Sequence, residues 1–181
     1  MLKNYRKNYK GFTLLELLVV VLIIGILAGI ALPQYQLAVD KSEFAKLYSA
    51  AKDLADSYTR YHIITNQTAS SFSVLDIDFP YDVEKKVVAH GYVCRINGNM
   101  YCCVLGLNNN STIICGKTDY SFASWLTNVR TNPKPSCMAK NDSSRATKLC
   151  KSLWNKQTVT YSSNLFTPEG IVSGLWTIYP M

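Results

Sequence analysis

Few side chains in this 181-residue chain stand where they could do chemistry, and Glu16 needs the most explanation. It is a lone carboxylate in the run Phe12 to Leu32, which is otherwise Phe, Leu, Ile, Val, Ala and Gly apart from Thr13. An ionisable group in a membrane-length apolar segment is expensive, so it normally has a partner or a function. Glu16 follows Phe12 by one helical turn. If the chain is cut before Phe12, the new ammonium and the carboxylate can neutralise each other. The ammonium of a neighbouring copy is the more informative partner. In a bundle of identical helices that pairing would cancel two buried charges and fix the axial register, whereas leaving either charge alone would be strongly disfavoured. The bland alternative is a membrane anchor that tolerates Glu16 near the edge of the bilayer.

The surroundings favour the first reading. Phe12 to Leu32 is long enough to span a bilayer core, which takes about 20 residues. Lys3, Arg6, Lys7 and Lys10 precede it with no acidic residue, so residues 1–11 are expected in the cytoplasm. A secretory signal would end in a small-residue cleavage site. None is obvious here, because the run passes through Pro33 into polar helix. Gly11 is the better candidate, and cutting there keeps the apolar segment on the mature chain. Without the leader, 15 basic residues face 12 acidic ones, only a mild excess.

Gly11-Phe12-Thr13-Leu14-Leu15-Glu16, followed by Gly25, Pro33 and Tyr35, resembles the type IV pilin and pseudopilin family over roughly residues 7–40. The resemblance implies cleavage between Gly11 and Phe12 by a prepilin peptidase, N-methylation of Phe12, and a role for Glu16 in methylation or subunit docking. It also implies a filament built on these helices at an inner-membrane assembly platform. The expected fold is α+β, a long N-terminal helix packed on an antiparallel sheet with a disulfide-closed C-terminal loop. The expected divisions are a leader at 1–11, a transmembrane or filament-core helix at 12–33, its amphipathic continuation at 34–64, and a globular head at 65–181.

After Pro33 the pattern turns amphipathic. Leu37, Phe44, Leu47, Tyr48, Ala51, Leu54, Ala55, Tyr58 and Tyr61 recur at three- and four-residue spacings, with charges between them. The helix is expected to end near Ile64, making a rod of ~75–80 Å. Gly25 and Gly29 form a small-xxx-small pair that lets helix backbones approach closely in lipid. Pro33 lacks an amide donor and is expected to kink or locally melt the helix. Together with Thr13 and Glu16, these three are the residues assigned to assembly.

In the head, Val87-Val88-Ala89, Tyr92 to Ile96, Met100 to Leu105 and Thr112 to Cys115 read as strands, with turns at Asn97-Gly98 and Asn108-Asn109-Asn110. Ile171-Val172 and Leu175 to Tyr179 are candidates for one more. All six cysteines follow residue 90, and an even count in an exported domain favours disulfides. A loop centred on Asn109 sets Cys103 opposite Cys115. A three-residue loop at Asn97-Gly98-Asn99 sets Cys94 opposite Cys102, whereas a two-residue Asn-Gly turn sets Cys94 against Tyr101. Adjacent Cys102 and Cys103 face opposite ways on a strand and suit separate partners. Cys137 and Cys150 remain for each other, and the family resemblance implies such a C-terminal bridge as well.

No catalytic constellation is visible, and no cofactor or metal site is expected. His62 and His90 stand in no recognisable motif, and Asp76, Asp78 and Asp82 read as a solvated acidic loop rather than calcium ligands. Arg130, Lys134, Lys140, Arg145, Lys148, Lys151 and Lys156 face a single acid, Asp142, with Trp125, Trp154 and Tyr161 near in sequence. Repeated along a fibre, they would make a track able to attract DNA phosphates, although a solvated loop is the simpler reading. The first expectation is a structural subunit of a type IV pilus, with other pilin subunits, the membrane, the peptidase and the assembly platform as partners. The alternatives are a pseudopilin of a type II secretion system and, from another class, a non-polymerising membrane-anchored adhesin or DNA-binding module.

Overall fold

The computed structural model describes residues 11–69, 71–77, 83–87, 92–107, 110–118, 122–127, 134–153, 160–167 and 170–180, with some strands, including 83–87 and most of 160–175, described by backbone alone. The chain divides into two compact units, Met1–Ala38 and Val39–Met181. One helix, α1, runs Leu14–Thr65 and contributes to both.

α1 stays helical through Pro33, so the expected local melting is absent here. A proline at this position still withholds one intrahelical hydrogen bond from the carbonyl of Gly29. The helix ends one residue later than expected. Asn66 adopts a left-handed φ of 55° and its N–H bonds the His62 carbonyl at 2.8 Å, a terminator that suits Asn. Within the first unit every large apolar side chain from Phe12 to Tyr35 is exposed. This helix is long and apolar enough to cross a membrane.

The second unit is α+β, as the hydrophobic pattern predicts. Among the described residues, eight antiparallel strands follow α1: β1 (Val83–Val87), β2 (Tyr92–Asn97), β3 (Met100–Leu107), β4 (Asn110–Lys117), β5 (Phe122–Thr127), β6 (Lys134–Lys140), β7 (Thr160–Thr167) and β8 (Gly170–Pro180). Their order in the sheet is β1-β2-β3-β4-β5-β6-β8-β7. A second helix, α2 (Ser144–Leu153), lies between β6 and β7 in the chain. The region expected to be a disulfide-closed loop is therefore strand β6, a turn and α2. Ser143 caps α2 by accepting the Ala146 N–H at 3.2 Å.

One sheet face packs on the amphipathic half of α1. Phe44, Leu47, Ala51, Leu54, Ala55 and Tyr58 are buried there, and the Phe44 and Phe122 rings lie 6.5 Å apart. Burying each large side chain contributes about 1.5–3 kcal/mol. Charged pairs set the helix's position along the sheet. Glu43 meets Lys117 of β4 at 2.9 Å, and Asp40 meets Arg145 of α2. Further along, Arg60 and Ser57 grip Asp76, which follows a short 3-10 turn at Phe72–Val74. These bonds hold the Asp76 carboxyl well below the usual carboxylate range, Arg60 first and Ser57 second.

The opposite face holds Tyr92, Cys94, Tyr101, Cys103, Leu105, Ile114, Ala123, Met138, Trp176 and Ile178. Tyr92 of β2 donates its hydroxyl to the Thr167 carbonyl of β7 at 3.0 Å. These strands lie far apart in the sheet order, so the β7–β8 hairpin folds back over this face.

The disulfides are Cys94–Cys103, Cys102–Cys115 and Cys137–Cys150. The expected Cys94–Cys102 and Cys103–Cys115 pairings are overturned, and strand register is the reason. Asn97 pairs with Met100 across Gly98-Asn99, with Gly98 at a φ of 55°, which places Cys94 opposite Cys103. Leu107 pairs with Asn110, which places Cys102 opposite Cys115. Each expected hairpin was out by one residue, and a one-residue slip exchanges the faces of a strand.

Candidate functional site

The site grows from the start of α1. Gly11 and Phe12 precede the helix, and both are exposed, Phe12 at 77%. Thr13 is the N-cap. Its hydroxyl accepts the Glu16 N–H at 3.3 Å and donates to Glu16 Oε2 at 2.7 Å. Glu16 Oε2 also accepts the Thr13 N–H at 2.8 Å. This reciprocal arrangement is a capping box, which satisfies donors that a helix start otherwise leaves open. Thr13-Leu14-Leu15-Glu16 fits the [ST]-x-x-E spacing of that motif, so the sequence itself carries the signal beside the more conspicuous charge of Glu16. Both bonds to the carboxylate end on Oε2. Oε1 has no partner among the described residues and is free to accept from another group. Thr13 and Glu16 both follow Gly11–Phe12, so a cut at that bond would leave the box intact.

Gly25 and Gly29 lie on α1 with open space where a Cβ would stand. Among the described residues, nothing stands close enough to require glycine at either position. Pro33 follows them inside the helix. Together the first unit presents an exposed apolar rod, one carboxylate near its start, and two positions without side chains.

The basic residues expected to form an anion track are only partly available. Arg145 is bonded to Asp40, and Lys140 pairs with Asp142 at 2.9 Å. Lys134 on β6 and Lys148 and Lys151 on α2 are exposed. Arg130 and Lys156 lie outside the described residues, as does Trp154, while Trp125 and Tyr161 are described by backbone alone. Of the three aspartates weighed as calcium ligands, Asp76 is engaged by Arg60 and Ser57, and Asp78 and Asp82 lie outside the described residues. Among the described residues no cluster of His, Cys, Asp or Glu suits a metal ion.

The family described as the prokaryotic N-terminal methylation motif matches residues 6–32. The chain is similar to a fimbrial protein of Dichelobacter nodosus, with 31% identity over 103 residues, 49% of this chain and 64% of the relative. It is 35% identical over 88 residues to a type IV major fimbrial protein FimA of the same organism, covering 45% of this chain and 56% of the relative. It is also 44% identical over 62 residues to the fimbrial protein EcpC of Eikenella corrodens, covering 34% and 39%. The matches thus span less than two thirds of these relatives' lengths. No solved structure matches the chain. The chain thus carries the prokaryotic N-terminal methylation motif at the start of a long apolar helix, and its N-terminal half is similar to type IV fimbrial proteins.

Proposed function

We propose that this protein is a structural subunit of a type IV pilus, made as a precursor and polymerised through α1. The observation that carries the reading is the exposed apolar run from Phe12 to Leu32 with Glu16 as its lone carboxylate, inside the matched methylation motif. In this reading residues 1–11 are a leader, removed by a prepilin peptidase between Gly11 and Phe12, and Phe12 is then N-methylated. The precursor sits in the inner membrane through residues 12–33, and the assembly platform moves it into an extracellular filament. The fimbrial names of the relatives support polymerisation with other pilin subunits.

The capping box gives this reading a physical form. Glu16 Oε2 holds its own helix start, and Oε1 accepts the Phe12 ammonium of the next subunit. Gly25 and Gly29 leave room for a neighbouring backbone at close range. Mass spectrometry of the mature N-terminus, with electron microscopy of sheared surface material, tests the proposal. The expected result is a methylated Phe12 terminus on a chain that makes up filaments. An intact Met1 or Gly11 on a surface-exposed, filament-free protein would overturn it.

A further inference from the structure

α2 is a ten-residue helix, too short to persist in water by itself. Its buried side is small, made of Ala146, Leu149 and Cys150. Two stronger fastenings hold it. Near its C-terminal end, Cys150 is bonded to Cys137 of β6. Near its N-terminal end, Arg145 grips Asp40 of α1, Nε to Oδ2 at 2.7 Å and Nη2 to Oδ1 at 2.5 Å. The two partners are unequally placed, since the Asp40 side chain is 1% exposed and that of Arg145 58%. Arg145 therefore closes a buried carboxylate from the solvent side. Lifting α2 would strand that charge, which is strongly disfavoured.

Cys137 and Cys150 are both fully buried, so a reductant reaches their bridge only after α2 opens locally. We propose that α2 is a redox lock gated by the Asp40–Arg145 pair. The ion pair keeps Cys137–Cys150 out of reach of dithiols, and the bridge keeps the ion pair in place. In the opened state one thiolate of a dithiol reductant attacks a sulfur of the bridge. A mixed disulfide forms and the other cysteine leaves as a thiolate. The second thiol of the reductant then displaces the remaining cysteine. Two electrons pass to the chain, which ends with two free thiols, and the reductant leaves as its own disulfide. The reverse exchange with an oxidised dithiol closes the lock. Cys94–Cys103 and Cys102–Cys115 join strands within the sheet instead of fastening a helix, so they serve as internal standards.

The test uses the full oxidised chain in detergent micelles, with dithiothreitol as reductant, alkylation at timed intervals and peptide mapping of each cysteine pair. Arg145→Met is expected to speed reduction of Cys137–Cys150 about tenfold or more while the other two bridges keep their rates. Lys117→Met, which removes the Glu43–Lys117 pair on the same helix, is expected to leave that rate unchanged. In the unmodified chain, raising the salt concentration is expected to speed Cys137–Cys150 relative to the internal standards, because Arg145 is half exposed to screening ions. This last measurement stands even where Arg145→Met fails to fold. Equal acceleration of all three bridges, an unchanged Cys137–Cys150 rate in Arg145→Met, an equal effect of Lys117→Met, or indifference to salt would each overturn the lock.

Discussion

Glu16 has two separable roles in the proposed subunit, and two substitutions pull them apart. Glu16→Gln keeps a side-chain oxygen that can accept the Thr13 N–H, the bond now made at 2.8 Å, but removes the charge. Thr13→Val keeps the charge and much of the side-chain shape. It removes the hydroxyl that donates at 2.7 Å and accepts at 3.3 Å. Losing a Thr N-cap costs about 1 kcal/mol, roughly a fivefold shift in the opening of the first turn. Amide hydrogen exchange at Glu16 should therefore quicken about fivefold in Thr13→Val and stay near the parent rate in Glu16→Gln. Filament yield in the sheared surface fraction should behave in the opposite way. It should stay near the parent level in Thr13→Val and fall by about tenfold or more in Glu16→Gln, where a neighbour's ammonium loses its counter-charge. Assembly of Glu16→Gln at the parent's efficiency, with normal processing and expression, would refute the charge-pairing argument even if the cap behaves as described.

Gly116→Ala would place a Cβ 2.7 Å from the Tyr101 hydroxyl oxygen and 2.9 Å from its Cζ, inside a buried cluster. Overpacking of this kind costs about 1–3 kcal/mol, which should appear as a lower urea midpoint for the head, whereas Gly25→Ala, with open space around it, should not move that midpoint. Asp76 supplies a pH dependence. Its carboxyl is held below its ordinary value by Arg60 and Ser57, so the unfolded chain takes up its proton first as pH falls. The stabilisation is present above the usual carboxylate pKa near 4 and is lost as pH drops further toward the lower folded value. In Arg60→Met, urea titrations between about pH 2 and 4 should show a shallower fall in stability than in the parent, and an identical slope would refute this role for the pair.

The sequence shows α1 and its two regimes plainly, because a 3.6-residue period and an uninterrupted apolar run are strong local signals. It also shows β2, β3 and β4, whose apolar residues and Asn/Gly turns lie close together. β5, β6 and β7 carry no comparable local signal, because their meaning depends on neighbours. Ser124, for example, is buried between Cys115 and Cys137 across the sheet, a context the linear sequence does not display. α2 was legible in principle. Ser143 is a capping residue, and Ala146, Leu149, Cys150 and Leu153 fall at helical spacing after it, although the lysines between them make charge the more conspicuous feature. The crossed disulfides depended on hairpin registers one residue away from those expected, which turn chemistry at Asn97-Gly98-Asn99 does not settle by itself. At the candidate site, the charge on Glu16 was evident and its capping partner Thr13 was adjacent. The Asp40–Arg145 pair joins residues 105 positions apart and leaves no local trace.

Cys102 and Cys103 are neighbours on β3, yet one is joined to β4 and the other to β2. The middle strand is thus riveted on both flanks, and the covalent path from residue 94 to residue 115 has a short cut at every hairpin. A fibre under tension strains its weakest folded segments first, and here three strands can tilt or shear as a block but cannot be drawn out into thread. A hauling load transmitted to this head would have to be relieved elsewhere in the chain, leaving the stitched strands ready to spring back when the pull stops.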